Sequence, residues 1–245
     1  MKYLNKVKSS IPVLTRDDVT ARSDKEKADM ISEYFTTCFN RNIPPLGSGV
    51  SPDPDYVYDL DEEFLCTTDE IFYALTSLDT SKSSGPDWIS VRMLKSTANS
   101  IATSVTTLFN LSLQSGRIPT GWKQSTVIPI LKTSPANSPK DYQPISLLVI
   151  LSKVLERHIH SIISQHLAQH HPLSNSQWGF QSRKSTVSAL LATMDSWLRT
   201  IEEGGDVGAV FFDLRKAFDS VPHKPLIDKL EQTGMSTHIL NWVTD

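Results

Sequence analysis

The chain has 245 residues, 39% of them hydrophobic, which suffices for a large buried core in one domain or two and reads as a soluble globular protein. No apolar run approaches a membrane span, and Met1-Lys-Tyr-Leu-Asn-Lys6 lacks the apolar centre of a secretory signal, so no membrane partner is expected. The net charge of −3 hides a division: residues 1–80 carry 8 Lys+Arg against 15 Asp+Glu, whereas residues 82–184 carry 11 against 3. That basic stretch is either a footprint for nucleic acid or a solvated face.

Residues 1–22 are polar and without period, and read as a flexible leader. Ser23-Asp-Lys-Glu26 is a capping box, and behind it Ala28, Ile31, Phe35, Cys38 and Phe39 form one helical stripe. Ile43-Pro44-Pro45 ends that helix, and residues 46–63 form an acidic linker. A second capping box, Thr67-Thr-Asp-Glu70, starts a short helix with Ile71, Ala74, Leu75 and Leu78 inward. After the turn Lys82-Ser-Ser-Gly-Pro-Asp87, two helices are expected near 90–97 and 98–115, the latter closed by Gly116.

Thr126 to Leu131 reads as a strand, with Pro129 arguing for an edge. Its antiparallel partner is Tyr142 to Leu148, beyond a polar turn at 133–140. A long helix follows, with Val154, Leu155, Ile159, Ile162, Ile163 and Leu167 inward. Ser185 opens another, striped by Val187, Leu190, Leu191, Met194, Trp197, Leu198 and Ile201 and ended by Gly204-Gly205. The last helix begins after Pro222, turns Leu226, Ile227 and Leu230 inward and closes at Gly234. There is no internal repeat.

The chemistry gathers in Asp206 to His223. Ala209 to Phe212 read as a strand buried on both faces, and Asp213 appears at its carboxyl end. Burying a carboxylate there is costly without compensation. Open α/β sheets place ligands at this end of a strand. Asp213 is therefore either a ligand for a hard divalent cation with phosphate beside it, or an ordinary Asp capping the next turn. Lys132, at the end of its strand, can project a point charge onto a phosphate.

Cys38 and Cys66 stand alone and read as reduced thiols of an intracellular protein. Asn110-Leu-Ser112 matches a glycosylation sequon but lies in an amphipathic helix and is set aside. The histidines 158, 160, 166, 170 and 171 have no Cys or Glu at ligand spacing and read as solvated helix residues.

Phe211-Phe-Asp-Leu-x-Lys-Ala-Phe-Asp-Ser-Val-x-His223 resembles the first palm motif of LINE-type (non-LTR, jockey-like) retrotransposon reverse transcriptases. Other segments resemble the same family in the same order: Ile11-Pro-Val-Leu with the helix behind it, Lys82 to Asp87, Trp122 to Lys132, Asp141-Tyr-x-Pro-Ile-Ser-Leu-Leu148, the helix carrying Lys153 to Glu156, Gln177-Trp-Gly-Phe180 and Arg183-Lys-Ser-Thr186. A maturase-type reverse transcriptase fits less well.

The resemblance implies an α/β (α+β), helix-rich fold: the fingers of a right-hand polymerase with their β-hairpin, part of the palm with one strand, and no thumb. It divides the chain into 1–63 (leader, helix and acidic linker) and 64–245 (fingers and partial palm, truncated at the carboxyl end). It also implies two Mg²⁺ ions, or Mn²⁺ in their place, held by Asp213 and the Leu214 carbonyl, with Asp213 catalytic. Lys132, Arg215, Lys216, Ala217 and Phe218 would meet the incoming nucleotide, Phe218 as the gate against a ribose 2′-OH. Lys82, Lys123, Arg183 and Lys184 would grip nucleic acid. RNA template, DNA primer and dNTPs are the implied partners, with no protein partner, in cytoplasm and nucleus.

The sequence departs from the family at Gln143 and Gln181, where arginine is usual, and at Trp88, where glycine is usual. A two-metal centre also needs acids beyond Asp213, and after Asp219 only Asp228, Glu231 and Asp245 remain; the Asp17-Asp18 pair lies in the leader. The expectation is an incomplete polymerase that is inactive alone, or a decayed or captured fragment that only binds RNA.

Overall fold

The computed structural model describes residues 11–37, 64–132, 134–170, 173–214, 217–218 and 220–245. It is mixed, dominated by helices, with two separate two-stranded sheets among the described residues.

The first sheet overturns the reading of residues 1–22 as wholly structureless. Strands β1 (Leu14–Arg16) and β2 (Val19–Ala21) pair antiparallel across Asp17 and Asp18. Both aspartates have positive φ, 48° and 64°. A two-residue turn of that kind matches the twist of the strands, and Asp tolerates the left-handed region better than most residues. The two aspartates are therefore the turn itself, and the Asp17 carboxylate lies 3.2 Å from Arg16 Nε.

Helix α1 (Asp24–Thr36) begins at the Ser23 capping box, as expected. Its buried face is Lys27, Met30, Ile31 and Phe35, so Ala28 lies outside the inward stripe. Lys27 buries its stem and pairs its amine with exposed Asp24 at 3.5 Å. Cys38, Phe39 and the 46–63 linker fall outside the described residues. Leu14, Ala21, Met30, Ile31 and Phe35 form a small core that also encloses Ala136 and Tyr142.

The larger core is built on α2 (Thr68–Thr76), α3 (Val91–Ser115), α4 (Ile150–His170) and α7 (Thr237–Thr244). α3 is one continuous helix where two were expected. Val91, Leu94, Ala98, Ala102, Val105, Phe109 and Leu113 make one unbroken buried stripe, which runs straight through the break expected between 97 and 98. Gly116, at φ 62°, caps it in the left-handed conformation. α7 was not foreseen; its Ile239 and Trp242 are buried, and the Trp242 Nε1–H donates to Ser112 Oγ at 3.1 Å. Ser112 in turn donates to Arg117 O at 2.6 Å.

The second sheet pairs β3 (Ser125–Leu131) with β4 (Tyr142–Leu148). Pro129 stands opposite Pro144. Lys132 N–H donates to Asp141 O at 2.7 Å, which fixes the alternation and puts the proline pair at a position where neither N–H is needed. At the other end of the hairpin, a Cβ on Gly85 would stand 2.6 Å from Leu148 O and 2.7 Å from Val149 Cα, so only glycine lets the 82–87 turn lie against the β4–α4 junction.

Two expectations fail together. α5 (Thr186–Glu202) starts at the Ser185 cap as expected, yet it buries no residue. The strand expected at 209–212 does not form; residues 205–214 have no regular structure and are exposed, with Phe211 at 88% and Phe212 at 90%. A strand meant for burial on both faces needs neighbours in its sheet and layers above and below it. The only described strands are the two hairpins, each already paired with itself. In α6 (His223–Gln232), likewise, Ile227 and Leu230 are half-buried and Leu226 is 44% exposed.

Candidate nucleotide and nucleic-acid site

The hairpin register decides which side chains can act together. Residues directly opposite share a face, so Gln143 (opposite Ile130) and the next position, Lys132 (beside Asp141), project to one side. Leu131 and Tyr142 project to the other, where Tyr142 is buried. Lys132 and Gln143 are exposed. The turn between the strands is pinned by Asp141, whose Oδ2 accepts from Asn137 N–H and Ser138 N–H, each at 2.9 Å. Those two bonds hold its carboxyl below the usual range.

Asp213 lies on the exposed 205–214 segment, with Leu214 also exposed at 76%. Arg215, Lys216 and Asp219 fall outside the described residues. Ala217 is exposed, and Phe218 is 78% exposed. Among the described residues no group of three His, Cys, Asp or Glu side chains could hold a metal ion. One exposed carboxylate with a neighbouring carbonyl is far short of the oxygen donors a hard cation needs, so these residues do not by themselves form a magnesium site.

One contact joins two of the motifs. The Phe180 and Phe218 rings meet edge to face, with centroids 6.0 Å apart. Phe180 sits in a loop held by its own polar groups. Lys184 Nζ donates to Gln177 O at 2.9 Å and Asn175 O at 3.3 Å, and lies 5.2 Å from the centre of the Trp178 ring. Phe180 and Arg183 both have left-handed φ, near 60°. Nothing in the sequence spacing announced this contact, since it depends on where two irregular segments cross.

Of the four cations assigned to nucleic acid, Arg183 is exposed and Lys82 lies 3.9 Å from Asp79. Lys184 is turned into its loop, and Lys123 pairs with Asp245 at 2.7 Å. Asp245 Oδ2 also accepts from Ile118 N–H at 2.8 Å. Burial would raise the Asp245 carboxyl, but the Ile118 bond and Lys123 outweigh it and hold it low. An open groove along β1, β2 and α1 is lined by Asp17, Glu26, Asp29 and Glu33 around Arg16, a lining mostly of the wrong sign for phosphate.

The other singled-out residues are structural. Asn110 is bonded through both side-chain atoms to the Cys66 backbone, at 2.8 and 3.0 Å, which removes it as a sugar acceptor in the folded chain. Cys66 is buried, and burial, aided by Glu70, pushes its thiol up to about 12. His158 and His166 are half-buried rather than solvated, 3.1 Å from Phe64 O and 2.8 Å from Thr233 O, within hydrogen-bond reach. Among the described residues no helix is long and apolar enough to cross a membrane.

Residues 130–245 match the family described as reverse transcriptase (RNA-dependent DNA polymerase). The chain is also similar to proteins of mobile elements. The chain is 32% identical over 165 residues to the "Probable RNA-directed DNA polymerase from transposon BS" of Drosophila melanogaster, covering 67% of this chain and 18% of that protein. It is 27% identical over 167 residues to the RNA-directed DNA polymerase from mobile element jockey of the same organism, covering 68% and 18%. It is also 27% identical over 161 residues to the Pol polyprotein of the type-1 retrotransposable element R2 of Nasonia vitripennis, covering 65% and 15%. The resemblance read from the motifs holds: residues 130–245 match the reverse transcriptases, the relatives that the chain resembles include the polymerase of jockey, and the chain spans less than a fifth of those proteins.

Proposed function

We propose that this chain is the fingers and first palm segment of an RNA-directed DNA polymerase from a LINE-type retrotransposon, with RNA template, DNA primer and dNTPs as the partners of the whole enzyme. The observation that carries the reading is the open hairpin face bearing Lys132 and Gln143, in a chain whose residues 130–245 match the reverse transcriptases. Lys132 meets the triphosphate, and Phe218, with Phe180 against it, shapes the sugar pocket. Arg215 to Ala217 approach the nucleotide, while Lys82 and Arg183 contact nucleic-acid backbone together with the less available Lys123 and Lys184. Asp213, with the Leu214 carbonyl, contributes to a magnesium site that needs further acids to be complete. Residues 64–245 form this polymerase part and 1–63 precede it. The setting is intracellular, in cytoplasm and nucleus.

The 245-residue chain alone is expected not to extend a DNA primer on an RNA template with dNTPs and Mg²⁺. It is expected to bind RNA with an affinity that falls steeply with salt, because contacts to phosphate release counterions. RNA-templated synthesis that Asp213→Ala abolishes would overturn the expectation of inactivity. A second reading, a decayed fragment that only binds RNA, is favoured by Gln143 and Gln181. A neutral amide forfeits a charge-assisted bond of about 1.5–3 kcal/mol. It predicts that Gln143→Arg leaves triphosphate affinity unchanged, whereas a polymerase segment gains affinity from it.

A further inference from the structure

We propose that residues 11–37 are a brace that sets the tip of the β3–β4 hairpin and thereby positions Lys132 for phosphate; the proposal rests on the reading of Lys132 given above. The family match begins at residue 130, so it assigns this region nothing. A two-stranded hairpin is marginal in water by itself. β3 and β4 are exposed along much of their length and are held at two places. At the base, the hairpin is held by the close approach of Gly85. At the tip, Leu14, Ala21, Met30, Ile31 and Phe35 close over Tyr142 and Ala136, leaving Leu14 with no exposure and Tyr142 with 5%.

A relay of hydrogen bonds runs from the brace to the lysine. Thr15 N–H donates to Asn137 O at 2.9 Å. Asn137 N–H donates to Asp141 Oδ2 at 2.9 Å, and Lys132 N–H donates to Asp141 O at 2.7 Å. The brace grips the Tyr142 face of the hairpin and leaves the Lys132 and Gln143 face open. An element that merely stabilised the sheet could have covered either face.

The test is calorimetric titration of the full 245-residue chain with inorganic tripolyphosphate, paired with amide hydrogen exchange. Lys132→Ala is expected to weaken binding about tenfold, the scale of one charge-assisted bond. Leu14→Ala is expected to weaken it several-fold, and to add nothing in the Lys132→Ala background, because both changes remove the same interaction. Exchange at the Lys132 amide should accelerate in Leu14→Ala while amides of α3 keep their protection, which excludes general unfolding; Leu14→Met should restore both readouts. If Lys132→Ala costs nothing, the phosphate reading falls and the brace proposal falls with it. If Lys132→Ala weakens binding but Leu14→Ala does not, or if the two losses add in full, the brace alone is overturned.

Discussion

α3 and α5 begin alike and end differently. Each has a serine N-cap, and each carries an apolar stripe at helical spacing. α3 buries nine residues between α2 and α7, and α5 buries none, leaving Leu190, Leu191 and Leu198 more than half exposed. The exposed segment at 205–214 follows α5 closely. A stripe records that a helix requires cover, but the cover itself must come from residues distant in the chain. α3 finds it because α2, α4 and α7 all return to it.

The contrast is most sharply tested by truncating one residue from each helix. Phe109→Ala is expected to lower stability to urea by about 3–5 kcal/mol, since its ring is wholly buried and stacks edge to face on Trp122. Leu191→Ala should change it by no more than about 0.5 kcal/mol. A loss above about 1 kcal/mol at Leu191 would mean that α5 is covered in solution after all.

A smaller effect is expected where α7 seats on α3. Ser112→Ala leaves the Trp242 indole N–H without its buried acceptor and should cost about 1–3 kcal/mol by the same measurement. Trp242→Phe added to that variant should cost less than it does alone, because the two groups share one bond.

The Asp245 clasp gives a pH dependence of defined sign. Its carboxyl is held below the ordinary value near 4, so its contribution is complete above that value and is lost as pH falls through the folded one. Asp245→Asn should cost about 1 kcal/mol near neutrality, the group being partly exposed, and the difference from wild type should vanish in acid. A difference that persisted at low pH would show that packing, not charge, holds the clasp.

The smallest effect runs the other way. Trp88 has φ 59° and is 86% exposed, which supplies a physical reason for the glycine usual at that position. Trp88→Gly should raise stability by about 0.5 kcal/mol, the relief of left-handed strain offset in part by the freer unfolded chain.

Much of the chain was legible locally. The capping boxes at Ser23 and Thr67, the caps at Ser185 and Gly116, and both strands of the β3–β4 hairpin stand where side-chain chemistry and alternation put them. Each is decided by groups within a few residues of one another. The Asp17-Asp18 hairpin was legible in principle, and was missed because two acids in a polar stretch attract a chemical reading before a turn reading. The candidate site was legible as a set of residue types, since the order of motifs names Asp213, Lys132 and Phe218 without any coordinates.

Assembly was not legible. Sequence alone could not say that Tyr142 is held by residues before position 37, that Lys123 is engaged by Asp245, or that Phe180 meets Phe218. Nor could it say that the apolar run before Asp213 would remain uncovered. Periodicity and caps act through the backbone's nearest neighbours, so the sequence alone determined where helices and hairpins begin and what chemistry they carry. Burial, ion pairing and ring contact join residues tens to more than a hundred positions apart, and only the tertiary structure decided which of those meetings occur.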